Sequence, residues 1–446
     1  MQTKKILAGA VLALCTALPA WAALPIQKWQ QPSGAQVYLV ESPGLPILDV
    51  EIDFDAGDRR DPAAQAGLAS VTAAMTAKGI AARDGEPALD ENQLSDAWAD
   101  LGADFGAGAG RDRMSFTLRS LTYPDLLAKA VDLASRQLGE PAFPDAVWQR
   151  ERQRLVAAIR EANTRPDTIA ARTFAQAVYG THPYGYDTTE ETLSHISVPD
   201  MQAFYRGVQA CRARVSVVGA VDRAQADRIV TTLLSRLPDG SCQPLPPVPE
   251  VAPLQAAAER DIPFDSAQAH VLIGQPGYKR SDPDFLPLLV GNYILGGGGF
   301  VSRLTEEVRQ KRALSYSVYS YFSPGLHAGA FTLGLQTRPD QATEAVKVAR
   351  EVLKRFVADG PTDAEMAAAK DNLIGGFALR IDSNAKLLGN LANIAWYDLP
   401  LDYLDTWTAR VGKVTAAQVK AAFARILQPD RMVTVVVGAS VAAGRQ

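Results

Sequence analysis

Two early stretches of the chain alternate apolar with polar residues. Val50, Ile52 and Phe54 share one side of an extended run, with Glu51, Asp53 and Asp55 between them. Met114, Phe116 and Leu118 repeat the pattern. A period of two predicts β-strands with one apolar face. Helical spacing takes over at 145–162 and 362–380, both long, and at 198–208 and 414–426, both amphipathic. The stretch 67–78 is rich in alanine, which predicts a helix lying close against a sheet.

These segments recur in one order. Paired strands and a helix occupy 35–78 and again 269–295. Each half closes on an amphipathic helix and a short apolar run ending in glycine, 214–219 and 431–438. Strands, helix, strands, several helices and a strand are therefore written twice, and such a repeat governs the whole fold. Between the copies lies 238–258, with proline at 238, 244, 246, 247, 249 and 253. Proline fixes φ and removes a donor, so this reads as a semi-rigid linker. The expectation is an α+β protein with domains at 25–237 and 259–446.

The 446 residues are 47% hydrophobic and 21% charged, enough apolar material for two sizeable cores. Residues 1–22 read as a cleavable signal peptide: Lys4 and Lys5, an apolar stretch at 6–18, then Ala20-Trp21-Ala22 before Ala23. Leu14 precedes Cys15 where a lipid-anchoring signal needs a small residue, so release to the periplasm is expected. Cleavage moves the formal charge from −4 to −6, with 49 acidic against 43 basic residues. No block of like charge points to nucleic acid. Cys211 and Cys242 remain, and in an exported chain an even pair leaves open a disulfide or two separate thiols.

Several motifs resemble the pitrilysin/insulinase family of zinc peptidases, family M16, in its two-domain branch. They are Asp55-Ala56-Gly57-Asp58-Arg59-Arg60-Asp61, Gly67-Leu68-Ala69, Glu151-Arg152 and His182-Pro183-Tyr184-Gly185. In the second half they are Leu295 followed by Gly296 to Gly299, Ser302-Arg303-Leu304, Val308-Arg309 and Leu314-Ser315-Tyr316-Ser317-Val318. The resemblance implies two homologous sandwich domains closed as a clamshell around a peptide chamber. The mitochondrial processing peptidase subunits and the core proteins of respiratory complex III share that branch.

The family's zinc motif, H-x-x-E-H, is missing. Two histidines at i and i+4 share a helix face and ligate one ion, while the glutamate activates water. Here Ser70 and Ala74 stand at the histidine positions and Ala73 at the glutamate. Ala158, beside Ala157, stands where a later helix brings the last ligand. Only four histidines exist, at 182, 195, 270 and 327; His182, Asp187, Glu190, Glu191 and His195 read as a polar loop before a helix. No cofactor is expected in this chain, and zinc only in a partner carrying H-x-x-E-H.

The resemblance carries two further elements. Arg309 and Tyr316 match the pair that holds substrate and stabilises the oxyanion across the chamber. Gly296, Gly297, Gly298 and Gly299 match a substrate-contacting glycine-rich loop, or else form a plain turn. No Gly-Lys-Ser/Thr ending follows, which argues against a phosphate cradle. The expected function is a non-catalytic, substrate-binding subunit of an exported heterodimeric zinc peptidase acting on unfolded peptides. A peptide-binding or structural scaffold is the alternative; a peptidase using unfamiliar ligands is a third.

Overall fold

The computed structural model describes residues 25–238 and 242–438. The signal-peptide segment, 1–22, lies outside them. The first half runs β1 (Gln27–Gln30), β2 (Gln36–Glu41), β3 (Ile47–Phe54), α1 (Leu68–Met75), β4 (Gly79–Ile80), β5 (Leu89–Asp90), α2 (Glu91–Leu101), β6 (Asp104–Ala109), β7 (Met114–Leu121), α3 (Pro124–Gly139), α4 (Asp145–Ala162), α5 (Pro166–Tyr179), α6 (Glu190–Ser194), α7 (Val198–Tyr205), β8 (Arg214–Gly219) and α8 (Arg223–Leu234). The second runs β9 (Ala258–Ile262), β10 (Ala269–Pro276), α9 (Phe285–Asn292), β11 (Ser317–Phe322), β12 (Ala330–Thr337), α10 (Ala342–Asp359), α11 (Asp363–Gly375), α12 (Asn384–Trp396), α13 (Tyr403–Gly412), α14 (Ala416–Ile426) and β13 (Val433–Val437).

The two main sheets are copies. The first is ordered β1-β2-β8-β3-β7-β6 and the second β9-β13-β10-β12-β11. Leaving β1 aside, the orders match strand for strand. In each, one pair is parallel, β2 with β8 and β13 with β9. The central strands β3 and β10 are antiparallel to both neighbours.

In each sheet the central strands are covered on the face opposite the core as well. Val50, Ile52 and Phe54 enter the first core with Met114, Phe116 and Leu118. The alternation sets Glu51, Asp53 and Asp55 on the side away from that core, where water is expected, yet Asp53 is buried there, as is Asp49 before them, and Glu51 and Asp55 are half-buried. The reason is an exchange of helices between the halves. Helix α12 of the second half lies on β3 and β8, while α5 of the first half lies on β10 and β13. Ala170, Phe174 and Val178 of α5 pack with Val433, Val435 and Val437. Gly274 of β10 makes room: a Cβ there would come within 2.7 Å of the Phe174 ring. Burying large apolar side chains of this kind stabilises by about 1.5–3 kcal/mol each.

The covered face of the first sheet is polar and paired. Arg113 holds Asp53 at 2.9 Å, and Ser115 donates to the same carboxylate at 2.5 Å. Arg214 donates to the carbonyls of Ala395 and Trp396 at the end of α12, at 2.5 and 2.6 Å. Burial raises the Glu51 and Asp53 carboxyls above their ordinary range.

The Pro-rich segment is strapped to both halves. Arg60 donates to Pro246 O, Arg212 to Gln243 O, and Glu250 pairs with Lys279 and His327. Cys211 and Cys242 form a disulfide at its start. Helix α11 stops at Gly375, short of the expected 380, because Gly375-Gly376 favours neither helix nor packing.

Candidate functional site

The Asp55–Asp61 motif builds the entry to α1. Asp55 binds Arg59 at 2.6 Å and Arg60 at 2.7 Å, and Arg59 also reaches Asp112 at 3.2 Å. Gly67, at φ +99°, starts the helix, and Asp61 accepts from the N–H groups of Gly67 (2.8 Å) and Ala69 (2.9 Å). Burial nevertheless pushes the Asp61 carboxyl up to about 7. On α1, Ser70 is exposed and its hydroxyl donates to Asp58 at 3.0 Å. Ala74 is exposed and Ala73 buried; Ala157 and Ala158 are exposed on α4. One committed hydroxyl and methyl groups do not fit a zinc ion, which needs about three nitrogen, sulfur or carboxylate ligands.

The histidines do different work. His182 Nδ1 accepts from Tyr184 N–H at 3.0 Å, so its Nε2–H is assigned as donor to Pro249 O at 2.9 Å. Tyr184 donates to Asp112 at 2.6 Å and accepts from His327 N–H at 3.2 Å. The His-Pro-Tyr-Gly motif thus joins the first half, the Pro-rich segment and the β11–β12 loop. The rest of that sequence cluster does not converge: Asp187 pairs with Arg172, Glu190 with Arg160, and His195 Nδ1 lies 3.2 Å from Ala64 O.

In the second half, packing accounts for most of the Ser302–Val318 run. Ser302 donates to Gly299 O at 2.8 Å, and Arg303 makes a bidentate pair with Glu365 at 2.6 and 2.7 Å. Leu304, Val308, Leu314 and Val318 are core residues. Ser315 donates to Ser317 O and Gln336 O, both at 2.6 Å.

Arg309 and Tyr316 are what packing leaves over. Tyr316 is 78% exposed. The Arg309 guanidinium lies 4.9 Å from the Tyr316 ring and 4.8 Å from that of Phe300. Nearby carboxylates are taken, since Glu306 and Glu307 pair with Lys311 and Arg312. Among the described residues Arg309 has no ion pair. Two wide turns set this geometry: Lys311 N–H bonds to Glu306 O at 2.9 Å and Gly298 N–H to Tyr293 O at 2.8 Å, both i→i+5. Such turns are rare and gather at functional sites. Ala313, at φ +52°, then reverses the chain into β11.

Gly296, Gly297 and Gly299 line the same cleft, of about 690 Å³, with Phe300, Arg309 and Tyr316. Gly298 lies in the run but not in the lining. Phe300, which lines the cleft, is 69% exposed, and Val301 next to it in sequence 74%. Sequence reasoning missed both; two apolar residues directly after four glycines were the available signal. The cleft can offer guanidinium, phenol and amide donors to a peptide carbonyl between aromatic walls.

Residues 36–192 match the profile described as Insulinase (Peptidase family M16), and 195–373 the Peptidase M16 inactive domain. A crystal structure of a peptidase M16 inactive domain from Pseudomonas fluorescens superposes with a TM-score of 0.88. It is 34% identical and covers 94% of this chain and 99% of its own. The periplasmic protease PqqL from Escherichia coli superposes at 0.78 with 18% identity, over 93% of this chain and 45% of its own. A Helicobacter pylori protein described as a non-peptidase homolog is 26% identical over 93% of this chain and 94% of its own. An uncharacterized zinc protease of Streptomyces coelicolor is 27% identical over 89% and 86%.

Proposed function

Because the chain belongs to peptidase family M16, we propose that it is the non-catalytic, substrate-binding subunit of an exported heterodimeric M16 peptidase, presenting Arg309 and Tyr316 to its partner's active site. The carrying observation is an asymmetry between the halves. The first offers a hydroxyl and methyl groups at Ser70, Ala73, Ala74 and Ala158. The second keeps an arginine that has no counter-ion among the described residues, held between two rings beside an exposed tyrosine and a glycine-lined cleft.

Pre-placed donors of this kind stabilise charge developing on a carbonyl oxygen, and losing one costs about 10²–10³ in rate. Arg309 supplies a fixed fork and Tyr316 a single O–H; the Gly296–Gly299 run lets a peptide backbone approach. Zinc belongs to the partner, which would carry H-x-x-E-H. The leader-like segment at 1–22 and the periplasmic setting of PqqL support a periplasmic location. No helix among the described residues is long and apolar enough to cross a membrane.

Co-expression with an H-x-x-E-H partner tests this reading. Arg309→Ala should lower the complex's peptide hydrolysis at least tenfold while both chains co-purify; an unchanged rate rejects it. A peptide-binding scaffold is the second reading, favoured by the non-peptidase description of the Helicobacter relative. It predicts peptide binding by this chain and no effect of Arg309 on any hydrolysis rate.

A further inference from the structure

A second cavity, of about 480 Å³, opens beside the Arg309 cleft. Asn292 and Tyr321 line both, so the two cavities adjoin at these residues. Asn292 is fixed there: its amide donates to Ser320 O at 3.0 Å and accepts from Ser320 Oγ at 2.9 Å. The second cavity is walled by rings, Tyr278, Phe285, Phe377, Tyr397, Tyr403 and Trp407. Phe377 and Trp407 stack at 4.8 Å and 13°, with Trp407 buried and Phe377 half-buried at the cavity wall.

The charge of the two cavities is one-signed. Every charged residue lining the two cavities is an arginine: Arg280 and Arg380 in one, Arg309 in the other. The chain as a whole is acidic, so this is a local selection of sign. Arg280 is braced by Tyr403 OH at 2.9 Å and lies 3.7 Å from the Phe285 ring. Arg380 is exposed and rests 5.7 Å from Trp407. Among the described residues neither arginine has a carboxylate partner. Rings receive an aromatic side chain by stacking or edge contact, and unpaired guanidinium groups favour a carboxylate next to it.

We propose that this aromatic cavity is a side-chain subsite for the peptide held at Arg309, and that it takes an aromatic residue with a carboxylate beside it. The carboxylate is either a free chain terminus or an adjacent acidic side chain. The inference rests on the peptide-binding reading of the Arg309 cleft and deepens it.

The test uses the mature chain and unstructured twelve-residue peptides labelled at the N-terminus, read by fluorescence anisotropy. One peptide ends in tryptophan with a free carboxylate, and a second is its amide. A third carries an internal Trp-Asp pair; further versions replace Trp by Ala, or Asp by Asn or Lys. Replacing the ring should weaken binding at least about tenfold, and removing the carboxylate about fivefold. The amide and the Trp-Asp peptide together tell which carboxylate source is used. Arg380→Met should erase the carboxylate preference and leave the ring preference. Phe377→Ala should reduce the ring preference, with melting temperature reporting its fold.

Equal affinities for Trp and Ala peptides, or binding weakened by loss of neither the terminal nor the internal carboxylate, would overturn the subsite. If binding still depends on Arg309 in that case, the proposed function survives the loss. If no peptide binds, the substrate-binding reading falls together with the subsite.

Discussion

Arg214→Met tests whether the exchanged helices make the two halves one folding unit. The guanidinium caps α12 through two carbonyls, Ala395 at 2.5 Å and Trp396 at 2.6 Å. Hydrogen bonds to a charged group contribute about 1.5–3 kcal/mol each. Freed helix-end carbonyls are partly rehydrated, so the lower value applies to both, about 3 kcal/mol together. The pair with Asp398, 64% exposed at its side chain, adds little. Methionine keeps the apolar stem, so the loss is one of donors. Unfolding entropy near 2.1 cal/mol/K per residue gives about 0.9 kcal/mol/K for roughly 420 residues. One shared transition should then fall by about 3–4 °C in calorimetry. If the halves melted separately, half the entropy would double the shift to about 7 °C and confine it to one of two transitions. Two resolved transitions, or an unmoved single one, would refute the reasoning.

Three more outcomes follow from local geometry. Burial raises the Glu51 carboxyl, so the folded state holds a proton that the unfolded chain releases, and stability falls as pH climbs above the ordinary glutamate range. Glu51→Gln should therefore raise the melting temperature at pH 8, leave it unchanged at pH 4.5, and flatten the slope between. A Cβ on Gly296 would sit 2.4 Å from Ser320 Oγ and 2.5 Å from its N, so Gly296→Ala should destabilise by about 1–3 kcal/mol and weaken peptide binding. Gly299 has open space but φ +61°, so alanine there should be felt only as backbone strain of about 1–2 kcal/mol. Replacing Cys211 and Cys242 by serine removes a bridge spanning 31 residues and should destabilise by about 3–4 kcal/mol in urea unfolding. A reductant on the unchanged chain should reproduce that loss.

Much of the fold was legible because local pattern and tertiary role agree. The repeat was readable in segment order, and the strands at Val50 and Met114 in their alternation. What local pattern could not show was the burial of Asp49 and Asp53. Their covering helix, α12, begins at Asn384, more than three hundred residues downstream. Nothing near Glu51 announces it. The same limit applies to the cleft. Arg309 and Tyr316 were readable as a pair by family resemblance. The wide turns and left-handed Ala313 that bring them together have no pattern in a periodicity scan. His182 shows the converse: a residue type suited to metal binding serves as a strap, with both ring nitrogens used by backbone groups.

The first half holds its helices in place by means that need no ion. A metal between two helices crosslinks them, and losing its ligands should loosen them unless other bonds take over. Here Asp61 fixes the start of α1 through backbone N–H groups. Just past its end, Lys78 lies 3.5 Å from both Glu91 of α2 and Glu151 of α4. Arg150 and Arg154 close the cluster, at 3.3 and 2.8 Å from Glu151. The Glu151 side chain is only 13% exposed, so the network is better shielded than an isolated surface pair. The small residues at 70, 74 and 158 are therefore compatible with an ordered first domain. Under the proposed function the contribution to hydrolysis falls to the second half, where Arg309 lies against the Phe300 and Tyr316 rings and, among the described residues, has no ion pair.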